Sequence, residues 1–277
     1  MLSVLRFGTG PRAVVAAHGI TGSGMSFRGV ARHLPAQWSL YAIDLRGRGG
    51  SAHTPGPYGI GRHAADVCRA AELLGGGSPV ALTGHSMGAY VALRAAARAP
   101  ELFDRLLLVD GGLPLPVPAG ADPDALLDLT LGPAMARLGR TYPDDETYLD
   151  GFRDHPALGP SWNEDIEAYA RYDLTGPPGA RRSRVLTEAV RADGRELLCH
   201  AGSFGADLTR LAVPTLLLHA PLGLMGRTPP MLPRQTVDHW LGHASRLTGE
   251  LIHSSNHYTI LLGGHARTVA DRLVDLR

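Results

Sequence analysis

The stretch Val80-Ala81-Leu82-Thr83-Gly84-His85-Ser86-Met87-Gly88-Ala89-Tyr90-Val91-Ala92-Leu93 constrains the fold more than any other part of the chain. It opens with a short apolar run of strand character and closes with an alanine-rich run of helical character. Between them lies Gly-His-Ser-Met-Gly, a Gly-x-Ser-x-Gly pattern. A serine at the centre of this pattern occupies a strand-to-helix turn too sharp for ordinary backbone. Gly84 and Gly88 lack the β-carbons that would collide where the helix crosses the strand. Ser86 is then lifted above the edge of a sheet, at the start of a helix. There the Met87 N–H has no intrahelical partner and can point at negative charge developing on a bound group.

The rest of the chain supplies the sheet that such a turn requires. Residues 13–17 read as a buried strand running into His18-Gly19-Ile20-Thr21-Gly22-Ser23-Gly24, where the glycine density calls for a tight turn or a close backbone approach. A phosphate loop is not expected, because no Gly-Lys-Ser/Thr follows and the chain has no lysine. A helix over 27–34 and a strand over 39–43 follow, and the strand delivers Asp44-Leu45-Arg46-Gly47-Arg48-Gly49. After a helix over 61–74 come the Ser86 turn and a helix reaching about residue 98. A strand over 106–109 then ends at Asp110-Gly111-Gly112. This alternation predicts an α/β fold with a mostly parallel sheet covered by helices on both faces.

The composition changes after residue 112. Residues 113–118 are proline-rich, and from 122 to about 203 the chain is charged and helix-patterned, with Tyr142, Tyr148, Phe152, Trp162, Tyr169 and Tyr172 inside it. This predicts a helical insertion at 113–203 in a core made of 1–112 and 204–277. The core pattern resumes with a strand over 214–219, a helix over 236–244, a strand over 247–253, Asn256-His257-Tyr258-Thr259 and a last helix over 266–276. A length of 277 residues suits one large domain with such an insertion.

A net charge of +1 gives no electrostatic case for nucleic acid or an anionic membrane. No apolar run approaches a membrane span, and the first residues lack the basic and apolar regions of a secretory signal, so a soluble cytoplasmic protein is expected. All 27 basic residues are arginine, which with the Ala, Gly and Pro richness points to a GC-rich bacterial coding sequence. Cys68 and Cys199 lack a C-x-x-C spacing and read as two buried thiols rather than a disulfide or metal site.

The order of these motifs resembles the α/β-hydrolase superfamily over essentially the whole chain. The carriers are His18-Gly19, Asp44-x-Arg46-Gly47-x-Gly49, Gly84-His85-Ser86-Met87-Gly88, Asn256-His257-Tyr258 and the helical insertion. The resemblance implies a sheet of about eight strands, a helical cap over the site, and a nucleophile, acid and base in the order Ser, Asp/Glu, His. It implies Ser86 as nucleophile, His257 as base, and the Ile20 and Met87 N–H groups as an oxyanion hole. His18 is expected to orient its loop or touch substrate, with Tyr148 and Trp162 as further substrate contacts or as packing residues. Asp44, Arg46 and Arg48 are expected to brace the loop through local ion pairs.

The acid departs from the commoner pattern, in which it follows the strand at 214–219. The loop at 220–233 has no Asp or Glu, Asp207 precedes that strand, and Asp238 lies well beyond it. Asp110, one strand earlier, is the favoured acid, with a plain turn as its competing role. The implied activity is hydrolysis of a carboxylic ester, lactone or thioester of a small molecule through an acyl-enzyme, with no metal and no cofactor. Cofactor-free haloperoxidase or perhydrolase chemistry and a non-catalytic ligand-binding role are the alternatives.

Overall fold

Runs such as Val14-Val15-Ala16-Ala17 and Leu106-Leu107-Leu108-Val109 are fully buried, as strands covered on both faces must be. A computed structural model, which describes residues 2–118 and 120–276, arranges them with the following elements. The strands are β1 (Val4–Phe7), β2 (Arg12–Ala17), β3 (Trp38–Ile43), β4 (Val80–His85), β5 (Phe103–Val109), the short pair β6 (Leu174–Thr175) and β7 (Arg182–Ser183), β8 (Thr215–His219) and β9 (Leu247–Leu251). The core helices before the insertion are α1 (Arg28–Ala31), α2 (Ile60–Gly75) and α3 (Met87–Arg98). Between β5 and β8 lie α4 (Pro123–Leu138), α5 (Asp145–Arg153), α6 (Glu164–Asp173), α7 (Thr187–Cys199) and α8 (Ala201–Thr209). The chain closes with α9 (Arg234–His243), α10 (Thr259–Leu262) and α11 (Ala266–Asp275).

The main sheet runs β1-β3-β2-β4-β5-β8-β9, with β1 antiparallel to β3 and every other pairing parallel. It has seven strands among the described residues, where about eight were expected. The connection from β1 to β2 crosses the start of β3 closely: a β-carbon at Gly10 would lie 2.1 Å from the Gln37 carbonyl carbon. The helix expected over 27–34 is also shorter, a 3₁₀ turn at Gly24–Phe27 followed by the single turn of α1. Pro35 disfavours helical geometry at the residue before it and ends the segment early.

The insertion has its own core, in which Tyr148, Leu149 and Phe152 of α5 pack on Ile166, Tyr169 and Ala170 of α6. Helix α8 lies instead on the main core, its Phe204 ring edge-on to Tyr90 of α3 at 4.8 Å. Cys68 is half-buried in α2, where burial raises its thiol pKa to about 11. Cys199 is exposed, correcting the expectation of two buried thiols: it falls on the outer side of the last turn of α7. No helix among the described residues is long and apolar enough to cross a membrane. Because β4, β5, β8 and β9 are parallel, their C-terminal ends share one edge of the sheet, where open α/β sheets bind ligands.

Two glycine substitutions should have opposite signs. A β-carbon at Gly84 would lie 2.0 Å from the Gly88 carbonyl oxygen, so Gly84→Ala should cost about 3 kcal/mol or prevent folding. Gly151 in α5 faces open space, so Gly151→Ala should stabilise by roughly 0.5–1 kcal/mol. Urea unfolding of both variants checks the pair.

Candidate active site

Ser86 sits between β4 and α3 with φ +55° and ψ −123°, a region L-residues avoid. Such a conformation costs of order 1–3 kcal/mol and persists only where neighbours enforce it. Its N–H donates to the Val109 carbonyl at 2.9 Å, and its carbonyl accepts from the Ala89 N–H at 2.9 Å. Helix α3 presses on β2 at Gly88, where a β-carbon would lie 2.0 Å from the Ala17 carbonyl oxygen. The turn therefore has no slack, and the serine side chain is pushed up over the sheet edge.

Two further side chains converge there. His257 Nε2 lies 3.0 Å from Ser86 Oγ, and His257 Nδ1 lies 2.7 Å from Asp110 Oδ2. His257 and Asp110 are almost completely buried, 3% and 1% exposed, so their interaction is weakly screened by water. Asp110 directly follows β5 at φ +45°, a conformation aspartate tolerates better than most residues. Its N–H donates to the Leu218 carbonyl at 2.8 Å, and its Oδ1 accepts from the Ala220 N–H at 3.0 Å. The loop without an acid thus contributes backbone instead: Ala220 holds Asp110, and the Leu222 carbonyl accepts from the His257 N–H at 3.0 Å. Asp207 is engaged by Arg94, and Asp238 is exposed beside Arg234.

Two residues not singled out from the sequence hold the His257 loop. His85 donates from Nε2 to the His257 carbonyl at 2.8 Å, and burial lowers its pKa to about 3, so the ring is neutral. The Asn256 side chain accepts from the Tyr258 and Thr259 N–H groups at 2.9 and 3.0 Å and donates to the Ala157 carbonyl in the insertion at 2.9 Å. Their signal was adjacency alone, each being the neighbour of a motif residue.

On the other side of Ser86, the Gly19 carbonyl accepts from the Gly22 N–H at 2.9 Å and from His18 Nδ1 at 2.8 Å. Since the peptide is planar and trans, the Ile20 N–H points away from that anchored carbonyl. His18 Nε2 accepts from the Leu45 N–H at 3.0 Å, and burial lowers the ring pKa to about 4. With both nitrogens on backbone and no exposed surface, His18 orients the loop and does not reach a substrate, which corrects its candidacy as a contact.

The Ile20 carbonyl is in turn held by Arg48, from Nε at 3.1 Å and Nη2 at 2.9 Å. Arg46 makes the expected local ion pair, with Asp66 at 2.6 Å. Asp44 makes none among the described residues; it accepts from the Gly24 and Gly50 N–H groups at 2.8 Å and from the Tyr172 hydroxyl at 2.6 Å. Arg48 reaches much further along the chain, pairing with Asp193 of α7 at 2.5 Å, both fully buried, and His63 adds a 3.0 Å contact to the same carboxylate. One guanidinium therefore links the insertion to the loop beside Ser86.

A cavity of about 120 Å³ lies over Ser86 and His257. The insertion lines it with Leu127, Thr130 and Leu131 of α4 and Gly194, Leu197 and Leu198 of α7, the same i, i+3, i+4 stripe on two facing helices. Tyr148 and Trp162 are not among its walls, which corrects their candidacy as substrate contacts. Tyr148 is 1% exposed with its hydroxyl bonded to Asp173 and Arg137, and Trp162 packs on the insertion core beneath the Arg153 guanidinium, 5.2 Å away. Tyr169 is the insertion aromatic that faces the cavity. Among the described residues no group of three His, Cys, Asp or Glu side chains could hold a metal ion.

Two stability measurements follow. His18 and His85 titrate below the value of about 6.5 expected for an unfolded chain, so on acidification the unfolded chain takes up protons first. Unfolding free energy should fall as pH drops from about 6.5 towards 4, by at most about 1.4 kcal/mol per pH unit for each ring; a flat profile would contradict it. Asp193→Asn strands a buried guanidinium and should cost about 3–5 kcal/mol in urea unfolding at pH 7.5, against under 1 kcal/mol for the exposed Asp238→Asn.

The chain matches the family model described as alpha/beta hydrolase fold over residues 12–220. It is 41% identical over 107 residues to an N-formylmaleamate deformylase of Pseudomonas putida, a match covering 38% of this chain and 40% of that protein. It is 38% identical over 117 residues to the lipase LipV of Mycobacterium tuberculosis, covering 41% and 43%. The matched region thus spans about two fifths of the length of these relatives. Among solved structures, E-2-(acetamidomethylene)succinate hydrolase superposes with a TM-score of 0.81 at 19% identity, covering 99% of this chain and 95% of that one. The thioesterase domain from the curacin biosynthetic pathway gives 0.74 at 23% identity, covering 99% and 94%. At these identities the superpositions speak for the fold alone. With the mostly parallel sheet, the helical insertion and the family match over most of its length, the chain belongs to the α/β-hydrolase fold family.

Proposed function

We propose that this protein is a serine hydrolase that cleaves a carboxylic ester of a small molecule in the cytoplasm, through an acyl-enzyme on Ser86. The observation that carries the reading is the relay of two hydrogen bonds, 3.0 Å from Ser86 Oγ to His257 and 2.7 Å from His257 to Asp110, at a strained turn under an apolar cavity. His257 Nε2 takes the Ser86 proton as Oγ attacks the carbonyl carbon, and returns it to the leaving alcohol. Asp110 keeps Nδ1 protonated and stabilises the imidazolium that forms. The Ile20 and Met87 N–H groups receive the oxyanion, each such donor being worth about 3–4 kcal/mol of barrier. Water, activated by the same histidine, then releases the acid. No metal or organic cofactor enters this sequence of steps. The aliphatic stripes of α4 and α7 support the insertion as the wall that selects the acyl group, within a cap spanning 113–203.

A second reading keeps the machinery and changes the bond. Two relatives are named N-formylmaleamate deformylase and 2-(acetamidomethylene)succinate hydrolase, which supports cleavage of an activated amide by the same attack, with His257 protonating the departing nitrogen. Lactones and thioesters fit the same acyl chemistry.

A hydrolysis screen over esters, lactones, thioesters and N-acyl compounds of graded acyl length tests the reading. Ser86→Ala should lose turnover of every substrate while keeping the folded spectrum. Asp110→Asn should lower kcat by about 10⁴, roughly 5 kcal/mol, because the amide cannot stabilise the imidazolium. Near wild-type kcat in Asp110→Asn would return Asp110 to the role of a turn residue.

A further inference from the structure

Beside the chamber over Ser86 lies a second, larger one of about 520 Å³. Thr21, Thr130, Leu131, Tyr169, Leu224 and Tyr258 line both, so the two chambers meet at a waist between α4, α6 and the loops after β2 and β8. The inner chamber has apolar walls on the insertion side; the outer one is different. Its wall includes Arg137 and Arg140 and no Asp or Glu. His155 on the same wall is held towards its neutral form by burial and by Arg137.

Arg140 has no counter-charge among the described residues, and Arg137, though paired with Asp173, keeps free donors. Arg140 is exposed just past the end of α4 and has no ion-pair partner among the described residues. Arg137 uses Nη1 for Asp173, at 2.7 Å, and for the Tyr148 hydroxyl. Its Nε and Nη2, three of the five guanidinium N–H groups, find no acceptor among the described residues. Phe152 and Tyr148, with ring centroids 5.0 and 5.6 Å from its central carbon, fix the plane of the fork. A planar, pre-oriented guanidinium with free donors matches a carboxylate in geometry as well as charge. With a net charge of +1, the protein as a whole offers anions little attraction, so the selectivity would be local.

We propose that the two chambers form one substrate path, and that the substrate is an acyl compound bearing a free carboxylate remote from the scissile carbonyl. The carbonyl lies at Ser86, an apolar span passes the waist, and the carboxylate binds Arg137 and Arg140. This inference rests on Ser86 being the nucleophile of a hydrolase, and it names the substrate class of that same site.

The test compares p-nitrophenyl hemiesters of glutarate, adipate and suberate with their methyl-capped counterparts of equal length. The hemiester of the fitting length should have a kcat/KM about tenfold or more above its capped partner at low salt, and the ratio should shrink in high salt. Arg140→Gln should reduce the ratio several-fold, and Arg137→Lys, which keeps a charge beside Asp173 but loses the fork, should do so as well. The exposed Arg69→Gln on α2 should leave the ratio unchanged. A capped ester equal to or better than its hemiester at every length, or a ratio indifferent to Arg140→Gln, would overturn the inference. A second arm needs no turnover: calorimetric binding of free glutarate and adipate to Ser86→Ala protein, weakened when Arg140→Gln is added. Dicarboxylate binding without cleavage of any ester would leave the anion chamber standing and remove the hydrolase reading. Cleavage of esters with no acid preference and no dicarboxylate binding would remove the chamber alone.

Discussion

A serine backbone at φ +55° is unfavourable on its own, and the site depends on its being enforced. Enforcement comes from absent atoms. The helix after the serine crosses the strand before it at Gly84, and that helix touches β2 at Gly88. A β-carbon at Gly111 would lie 2.4 Å from the Ser86 carbonyl oxygen, and one at Gly19 would lie 3.3 Å from Ser86 Cβ. The turn is clamped on all sides by backbone, which does not yield as a side chain would. Its hydrogen bond to Val109 ties the serine to the residue before Asp110, so the nucleophile and the acid are placed by the same pair of adjacent strands.

Several polar contacts join the insertion to this clamped region and its neighbours, three of them beside the site. Arg48 connects Asp193 of α7 to the Ile20 carbonyl, Tyr172 of α6 donates to Asp44, and Asn256 donates to Ala157. A buried ion pair is a weak source of net stability, because desolvation offsets much of its attraction. Its effect is directional: Arg48 satisfies Asp193 and the Ile20 carbonyl together only when α7 and the loop after β2 are in register. Arg48 therefore couples the position of α7 to the loop after β2, where the Gly22 N–H and His18 hold the Gly19 carbonyl and so direct the Ile20 N–H.

The strands, the sharp turn at Ser86 and the convergence of Ser86, His257 and Asp110 were legible because each is written locally, as an apolar run or as a short motif at a strand end. Asp110 could be favoured because the loop at 220–233 carries no acid and the family resemblance allows one a strand earlier, but the use of the Ala220 N–H to hold it could not be read from residue types. The insertion was read less well. Tyr148 and Trp162 drew attention as large aromatics, yet Tyr148, on the buried face of α5, and Trp162, just before α6, pack on the insertion's own core. The cavity wall is instead leucine at helical spacing, which a sequence shows equally for core and for pocket. The Arg48–Asp193 pair joins residues far apart in the chain, and no local pattern marks it.

The central claim is that Ser86 itself becomes acylated, with His257 and Asp110 driving the transfer. Rapid-quench mass spectrometry of the peptide containing Ser86, taken during turnover of a p-nitrophenyl ester, tests this most directly. The account predicts an adduct of the acyl mass on Ser86 that forms in the first turnover with stoichiometric release of nitrophenol and decays on further incubation. Steady hydrolysis with Ser86 unmodified at every quench time, or an acyl adduct on another residue that turns over at the catalytic rate, would contradict it.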